Sequence, residues 1–139
     1  YLHTMTQTDD LLARLYQQLR NAGESFSLAY FSDHGLAFKE RGTRVQYLAH
    51  DDQFQQNFQV PFMVISSDDK KHRQVKARRS ANDFLMFFSQ WTGIKTKEIV
   101  NRYRFNSEQK AGPIYITNFK LKKVDYTHLG SDLFDSRTR

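Results

Sequence analysis

The apolar positions of the first thirty or so residues follow two different periods. Leu11, Leu12, Leu15, Tyr16 and Leu19 fall on the i, i+4, i+8 stripe of a helix packed on a sheet. Residues 6–10 (Thr-Gln-Thr-Asp-Asp) predict its start, with Thr or Asp as cap and acids near the positive end of the dipole. Arg20 and Gly23 predict its stop. His3 lies before that start and carries no predicted role. Next, Phe26, Leu28 and Tyr30 share one face of a strand, while Ala29 and Phe31 keep the other face from being polar. Such a strand reads as covered on both faces, as in the parallel sheet of an α/β domain. Helix then buried strand is half of a βαβ unit. It predicts a parallel neighbour before Tyr1, and a chain cut from a longer protein.

Residues 60–66 (Val-Pro-Phe-Met-Val-Ile-Ser) read as a second buried strand, with Pro61 at a tolerated first position. Between Gly35 and Gln59 no period holds for long, and a connection of that length is uncommon unless it is functional. Ser80 is the expected cap of a second helix, with Asp83 at its third position. Phe84, Leu85, Phe87, Phe88 and Trp91 make that helix apolar nearly all round, which predicts deep packing, not a cofactor box. Thr92-Gly93 ends it. Residues 95–103 read as a short amphipathic helix using Ile99, Val100 and Tyr103. Residues 114–116 and 121–126 read as strands without an evident tight turn. His128 is incidental in this reading. The expected organisation is one α/β portion over residues 1–129, a mixed, mostly parallel sheet flanked by helices. A flexible tail over residues 130–139 follows it.

Composition narrows the classes. Hydrophobic content of 39% and aromatic content of 14% exclude a disordered chain of 139 residues. No apolar run approaches the ~20 residues of a membrane helix, and no signal peptide is evident. The absence of cysteine removes disulfides, thiolate nucleophiles and Cys-based zinc sites together. A net charge of +6 favours polyanionic partners. Much of it is local: Lys70, Lys71, Arg73, Lys76, Arg78 and Arg79 fall within ten residues. No aromatic interleaves them, so base stacking is unsupported and no nucleic-acid partner is expected. A solvated linker and a surface for lipid headgroups both remain open for this run.

The candidate chemistry lies where the first strand ends, in Ser32-Asp33-His34-Gly35. Open α/β sheets place ligands at such ends. Adjacent Asp33 and His34 offer one oxygen and one nitrogen to a single metal, which suits zinc or manganese better than calcium. Gly35 lets the chain turn away. The plain alternative is a turn carrying a capped histidine. His50, followed by Asp51 and Asp52, reads on periodicity alone as a surface histidine.

Tyr30-Phe31-Ser32-Asp33-His34-Gly35, the loop with His50, and Gln59-Val60-Pro61-Phe62 together resemble the alkaline-phosphatase/sulfatase superfamily. Within it the likeness is to the bacterial phosphoethanolamine transferases that decorate lipid A and the lipopolysaccharide core, over about residues 5 to 95. The resemblance implies the C-terminal part of an alkaline-phosphatase-like catalytic domain. It implies Asp33 and His34 as metal ligands, for zinc before manganese or calcium, and His50 as a contact to the transferred phosphate or to a second metal. It further implies a two-step transfer. A threonine from upstream takes phosphoethanolamine from a phospholipid donor, phosphatidylethanolamine, and a lipopolysaccharide or lipid A acceptor then displaces it. The parent would sit in the bacterial inner membrane with this domain, soluble in itself, in the periplasm. The nucleophile and remaining ligands would lie upstream, since Thr4, Thr6 and Thr8 stand outside the nucleophile context. The chain alone is therefore expected to be inactive. Two positions depart from the pattern: Asp51 stands where Gly is usual, and Leu36 where Glu is common. Residues 96–139 match nothing in it. The rival readings are a sulfatase or related ester hydrolase, and a non-catalytic basic module on an anionic surface.

Overall fold

The first helix, α1 (Leu2–Asn21), begins earlier than the predicted cap and contains His3. The 6–10 segment does not cap because it is already helical: Thr8 Oγ1 donates back to Thr4 O at 3.1 Å, satisfying itself within the helix. The stop is as predicted, with Gly23 at φ +75° and its amide donating to Arg20 O at 3.2 Å. Leu12, Leu15, Tyr16 and Leu19 are half-buried, whereas Leu11 is exposed. Tyr16 meets Phe26 edge-on at 5.6 Å. In this computed structural model residues 2–40 and 46–131 are described.

The chain is α/β, and its elements group into two units, Tyr1–Asp33 with Val60–His72, and His34–Gln59 with Arg73–Arg139. In the first unit, β1 (Ser27–Phe31) pairs with β4 (Phe62–Ser66). The pairing is antiparallel, with Leu28 opposite Ile65 and Phe31 opposite Phe62. This corrects the expectation of mostly parallel strands: all three ladders among the described residues are antiparallel pairs. A continuous apolar run specifies which faces are apolar but carries no information about strand direction. Nor are β1's ends covered, since Phe31 is 44% exposed and stacks on Phe62 at 6.0 Å.

In the second unit, β2 (Ala37–Glu40) pairs with β3 (Gln46–Ala49). A 3₁₀ turn, Gln55–Phe58, follows. The described residues of the 36–59 stretch are thus more regular than their sequence suggests, because each element is too short to show a period. Ser80 caps the 3₁₀ turn Ala81–Asp83 that leads into α2 (Phe84–Thr92), accepting from Asn82 N at 3.2 Å, and α2 stops at Gly93, φ +77°. Only one side of α2 is deeply packed. Met86, Phe87 and Ser89 are buried, while Leu85 is 64% exposed. Asp83 leaves the capping role and instead pairs with Arg102 and accepts from Tyr103 OH at 2.6 Å. Burial, then Asp83, pushes the Tyr103 phenol up to about 12.

Residues 95–103 form no helix. Their neighbours' backbone groups are taken by distant side chains. Gln90 Nε2 donates to Tyr103 O at 2.7 Å and Gln90 Oε1 accepts from Phe105 N at 2.8 Å. Arg79 donates to Phe105 O at 2.7 Å and Ser107 O at 2.5 Å, and lies 4.8 Å from the Tyr103 ring centroid. Arg73 donates to Asn106 O at 2.5 Å, and Arg78 stands over the Tyr126 ring at 5.3 Å. Half of the basic run therefore serves packing inside this unit.

β5 (Tyr115–Thr117) and β6 (Lys123–Asp125) form a hairpin after all. Asn118 closes it, its Oδ1 accepting from Lys120 N and Lys122 N at 3.1 and 2.9 Å. Asp125 caps the next turn and is held below the usual carboxylate range by the hydroxyl and amide of Thr127. The tail expected from Gly130 lies beyond residue 131 outside the described residues. Gly130 itself donates to Gln53 O at 2.9 Å and accepts from Gln55 N at 2.8 Å. Among the described residues, no helix is long and apolar enough to cross a membrane.

Candidate functional site

His34 follows directly from the exposed Asp33 at the end of the first strand segment, and its ring is fixed by its own neighbour. Nδ1 lies 2.8 Å from Gly35 O; a carbonyl only accepts, so Nδ1–H is the donor. Gly35 has a different role from the turn expected of it. Its amide donates to Asn57 O at 2.8 Å, and a Cβ there would lie 2.2 Å from Gln56 O. Only glycine permits so close a backbone approach. It seats the 3₁₀ turn against the residue after His34.

That seating brings the second predicted histidine to the first. The His34 and His50 rings stack with centroids 4.2 Å apart and planes 25° from parallel. They lie sixteen positions apart in sequence. Phe119 also meets His50, edge-on at 4.8 Å and 63°. The Phe119 backbone is anchored in turn, its amide donating to Asp52 Oδ2 at 2.8 Å.

The two aspartates after His50 build this support. Asp51 is buried; its amide donates to Asn57 Oδ1 at 3.1 Å and its Oδ1 accepts from Gln53 N at 3.0 Å. Its place in the pattern is a turn lock. Gln55 Nε2 donates to Tyr126 O and Leu129 O, both at 3.4 Å, and Gln59 Nε2 donates to Tyr126 OH at 2.6 Å. The His50 loop is therefore braced by the hairpin and the residues after it. A cleft of about 470 Å³ opens beside this brace, lined by Asp52, Asn118, His128 and their neighbours.

Asp33 belongs to the other unit, where Ser32 Oγ donates to its Oδ1 at 3.3 Å. Among the described residues, no group of three or more His, Cys, Asp or Glu side chains is gathered to hold a metal ion. Asp33 and His34 are adjacent in sequence and fall in different units. Sequence reasoning named both histidines but not their contact, and it gave Asp52 and Phe119 no role. Those two lie 67 positions apart, and no local period connects them.

The Sulfatase family model matches residues 1–94, a span that contains the Ser-Asp-His-Gly strand end and the second histidine. The chain belongs to the sulfatase family. It is also 79% identical over 137 residues, 99% of its length, to Phosphoethanolamine transferase OpgE of Escherichia coli (strain K12). It spans about a quarter of that relative, 26%. No solved structure matches the chain significantly.

Proposed function

We propose that this chain is part of a metal-dependent transferase that moves phosphoethanolamine from a phosphatidylethanolamine donor to lipopolysaccharide or lipid A. The observation that carries the transferred group is the 79% identity to a phosphoethanolamine transferase. That relative's name specifies the group moved and not its acceptor; the lipopolysaccharide acceptor rests on the motif resemblance. The parent in this reading is an inner-membrane protein with the present domain on the periplasmic side.

Asp33 and His34 hold the metal. The His34 ring supports this, because a histidine ligand characteristically donates its other N–H to a carbonyl, as Nδ1 does to Gly35 O. Zinc suits a carboxylate and an imidazole best. A catalytic zinc takes about three protein ligands, so the rest of the set and the threonine nucleophile belong to sequence outside this chain. When bound, the metal supplies positive charge to the phosphoryl oxygens and acidifies the nucleophile. His50, whose ring stacks on His34 and meets Phe119 edge-on, contacts an oxygen of the transferred phosphate and orients it. The chain alone, lacking the nucleophile, does not turn over. An ester hydrolase of the same family is the second reading, favoured by the family match itself.

The test uses the full-length protein with Asp33→Ala, His34→Ala and His50→Ala. Zinc content and transfer from a fluorescent phosphatidylethanolamine are measured with lipopolysaccharide as acceptor. All three should lose ~100-fold or more in transfer, with zinc lost only in the first two. Full zinc and full turnover in Asp33→Ala and His34→Ala would end the metal assignment. Release of aryl sulfate or aryl phosphate without any transfer would select the hydrolase.

A further inference from the structure

The β5–β6 hairpin ends in Phe119-Lys120-Leu121-Lys122-Lys123, and its tip is built against ordinary preference. Leu121 is 86% exposed and Phe119 55%. Leu121 also stands at φ +57°, the left-handed region, where its Cβ is crowded and Gly or Asn would be at ease. The turn around it is well bonded. Asn118 N donates to Lys122 O at 3.0 Å, Leu121 N donates to Asn118 O at 2.9 Å, and Asn118 Oδ1 accepts two further amides. The fold thus holds a bare leucine outward at a backbone cost. A strained residue kept in place by over-determined surroundings points to use.

The neighbours say what kind of use. Lys120, Lys122 and Lys123 are all exposed, and no acidic residue interrupts them. Lys123 Nζ lies 4.0 Å from the Tyr115 ring centroid, which holds that cation at the base of the tip. Apolar side chains at the apex with ammonium groups around them match an anionic bilayer. The former enter the acyl boundary while the latter meet headgroup phosphates. A nucleic acid would use the lysines and leave Leu121 without a partner. The 70–79 run is poorly suited to the task, since Arg73, Arg78 and Arg79 are turned into their own unit.

We infer that the 118–123 hairpin tip is a membrane-contact element for anionic phospholipid, placed beside His50 by Phe119. Phe119 serves both sides, one edge on the His50 ring and the remainder exposed at the tip. The inference rests on the transferase reading for its purpose, since a lipid donor must be met at headgroup level. Its test is a binding measurement and does not need that reading.

Because the chain has no cysteine, Leu121→Cys takes a single environment-sensitive fluorophore, with Val100→Cys, 69% exposed in the same unit, as control. Vesicles of phosphatidylethanolamine with phosphatidylglycerol are compared with vesicles of phosphatidylcholine. The label at 121 should shift to the blue on the anionic vesicles only, and the label at 100 should not move. Binding should weaken with salt. Replacing Lys120, Lys122 and Lys123 by Gln should lower vesicle affinity about a hundredfold, at about fivefold per lysine. Leu121→Asn should lower it about tenfold or more while leaving Tm equal or raised, because Asn accepts the left-handed backbone. Loss of binding with a raised Tm separates a contact role from a folding role. Unchanged affinity in both variants, or a label at 121 that responds to a protein partner and not to lipid, overturns the inference.

Discussion

Gly35→Ala should be among the most damaging single substitutions in the second unit. The added Cβ would lie 2.2 Å from Gln56 O and 2.5 Å from Gln59 O, both backbone atoms that no rotamer change can move. Reaching even a 3.0 Å contact requires 3.0 − 2.2 = 0.8 Å of backbone displacement. Taken along the Gly35 N to Asn57 O bond, that stretches 2.8 Å to 2.8 + 0.8 = 3.6 Å, beyond a hydrogen bond. Losing the bond costs about 1 kcal/mol and forcing the backbone apart about 1–3 kcal/mol, roughly 2–4 kcal/mol together. Urea unfolding of the chain, followed by the fluorescence of the single tryptophan, Trp91, measures this directly. Gly112→Ala is the comparison, because nothing lies within 4 Å of its Cβ and only its φ of +86° resists alanine, at about 1–2 kcal/mol. The substitution should also separate the 3₁₀ turn from the residue after His34 and so loosen the histidine stack. A loss for Gly35→Ala no larger than for Gly112→Ala would refute the close-approach argument.

Two further outcomes test the packing of the second unit. Arg79→Lys should destabilise by about 2 kcal/mol in the same urea assay. One ammonium cannot reproduce the guanidinium's bonds to Phe105 O and Ser107 O, and an unchanged midpoint would show that those bonds contribute nothing. Tyr103→Phe should cost on the order of 1 kcal/mol below pH 10, and that difference should shrink as pH rises. The folded phenol keeps its proton to about 12, while the unfolded one releases it near its ordinary value of 10.0. Stability from Tyr103 is therefore complete below the unfolded value and lost by the folded one. A difference that stays flat from about pH 9 to about pH 12 would remove the buried, Asp83-bonded phenol from the account.

What could be read from the sequence was whatever depends on neighbours along the chain. The Ser80 cap, the Gly23 and Gly93 stops and the apolar runs of β1 and β4 are such features, and the structure contains all of them. The direction of β1 against β4 was not legible, because an apolar run looks the same in either pairing. The helix predicted at 95–103 failed for a different reason. Gln90 and Arg79, from other parts of the chain, occupy the backbone groups at 103–107. At the site, His34 and His50 each carried a motif, but their stacking depends on a glycine packed under a 3₁₀ turn. Phe119 had no motif and lies beyond the family match. Only its contact with His50 and its amide bond to Asp52 give it a place there.

Gln90 has a consequence for how this protein tolerates change in length. Ser89 Oγ donates to Ile94 O at 2.6 Å, and Gln90 Nε2 donates to Asn101 Oδ1 at 3.0 Å and to Tyr103 O at 2.7 Å. The two ends of the 94–101 excursion are thereby clasped at one turn of α2, and Val100 within it is 69% exposed. Extending an excursion clasped at its base costs little, about 0.6 kcal/mol for each doubling, because closure entropy grows only with the logarithm of length. Residues gained or lost there leave the register of Tyr103 and Phe105 untouched, since Gln90 holds it from outside the excursion. Gaining one residue between 103 and 105 would instead break both of that glutamine's backbone bonds and pull two buried rings out of place. The chain thus keeps elastic and inelastic stretches within a few residues of each other, and one amide side chain marks the border.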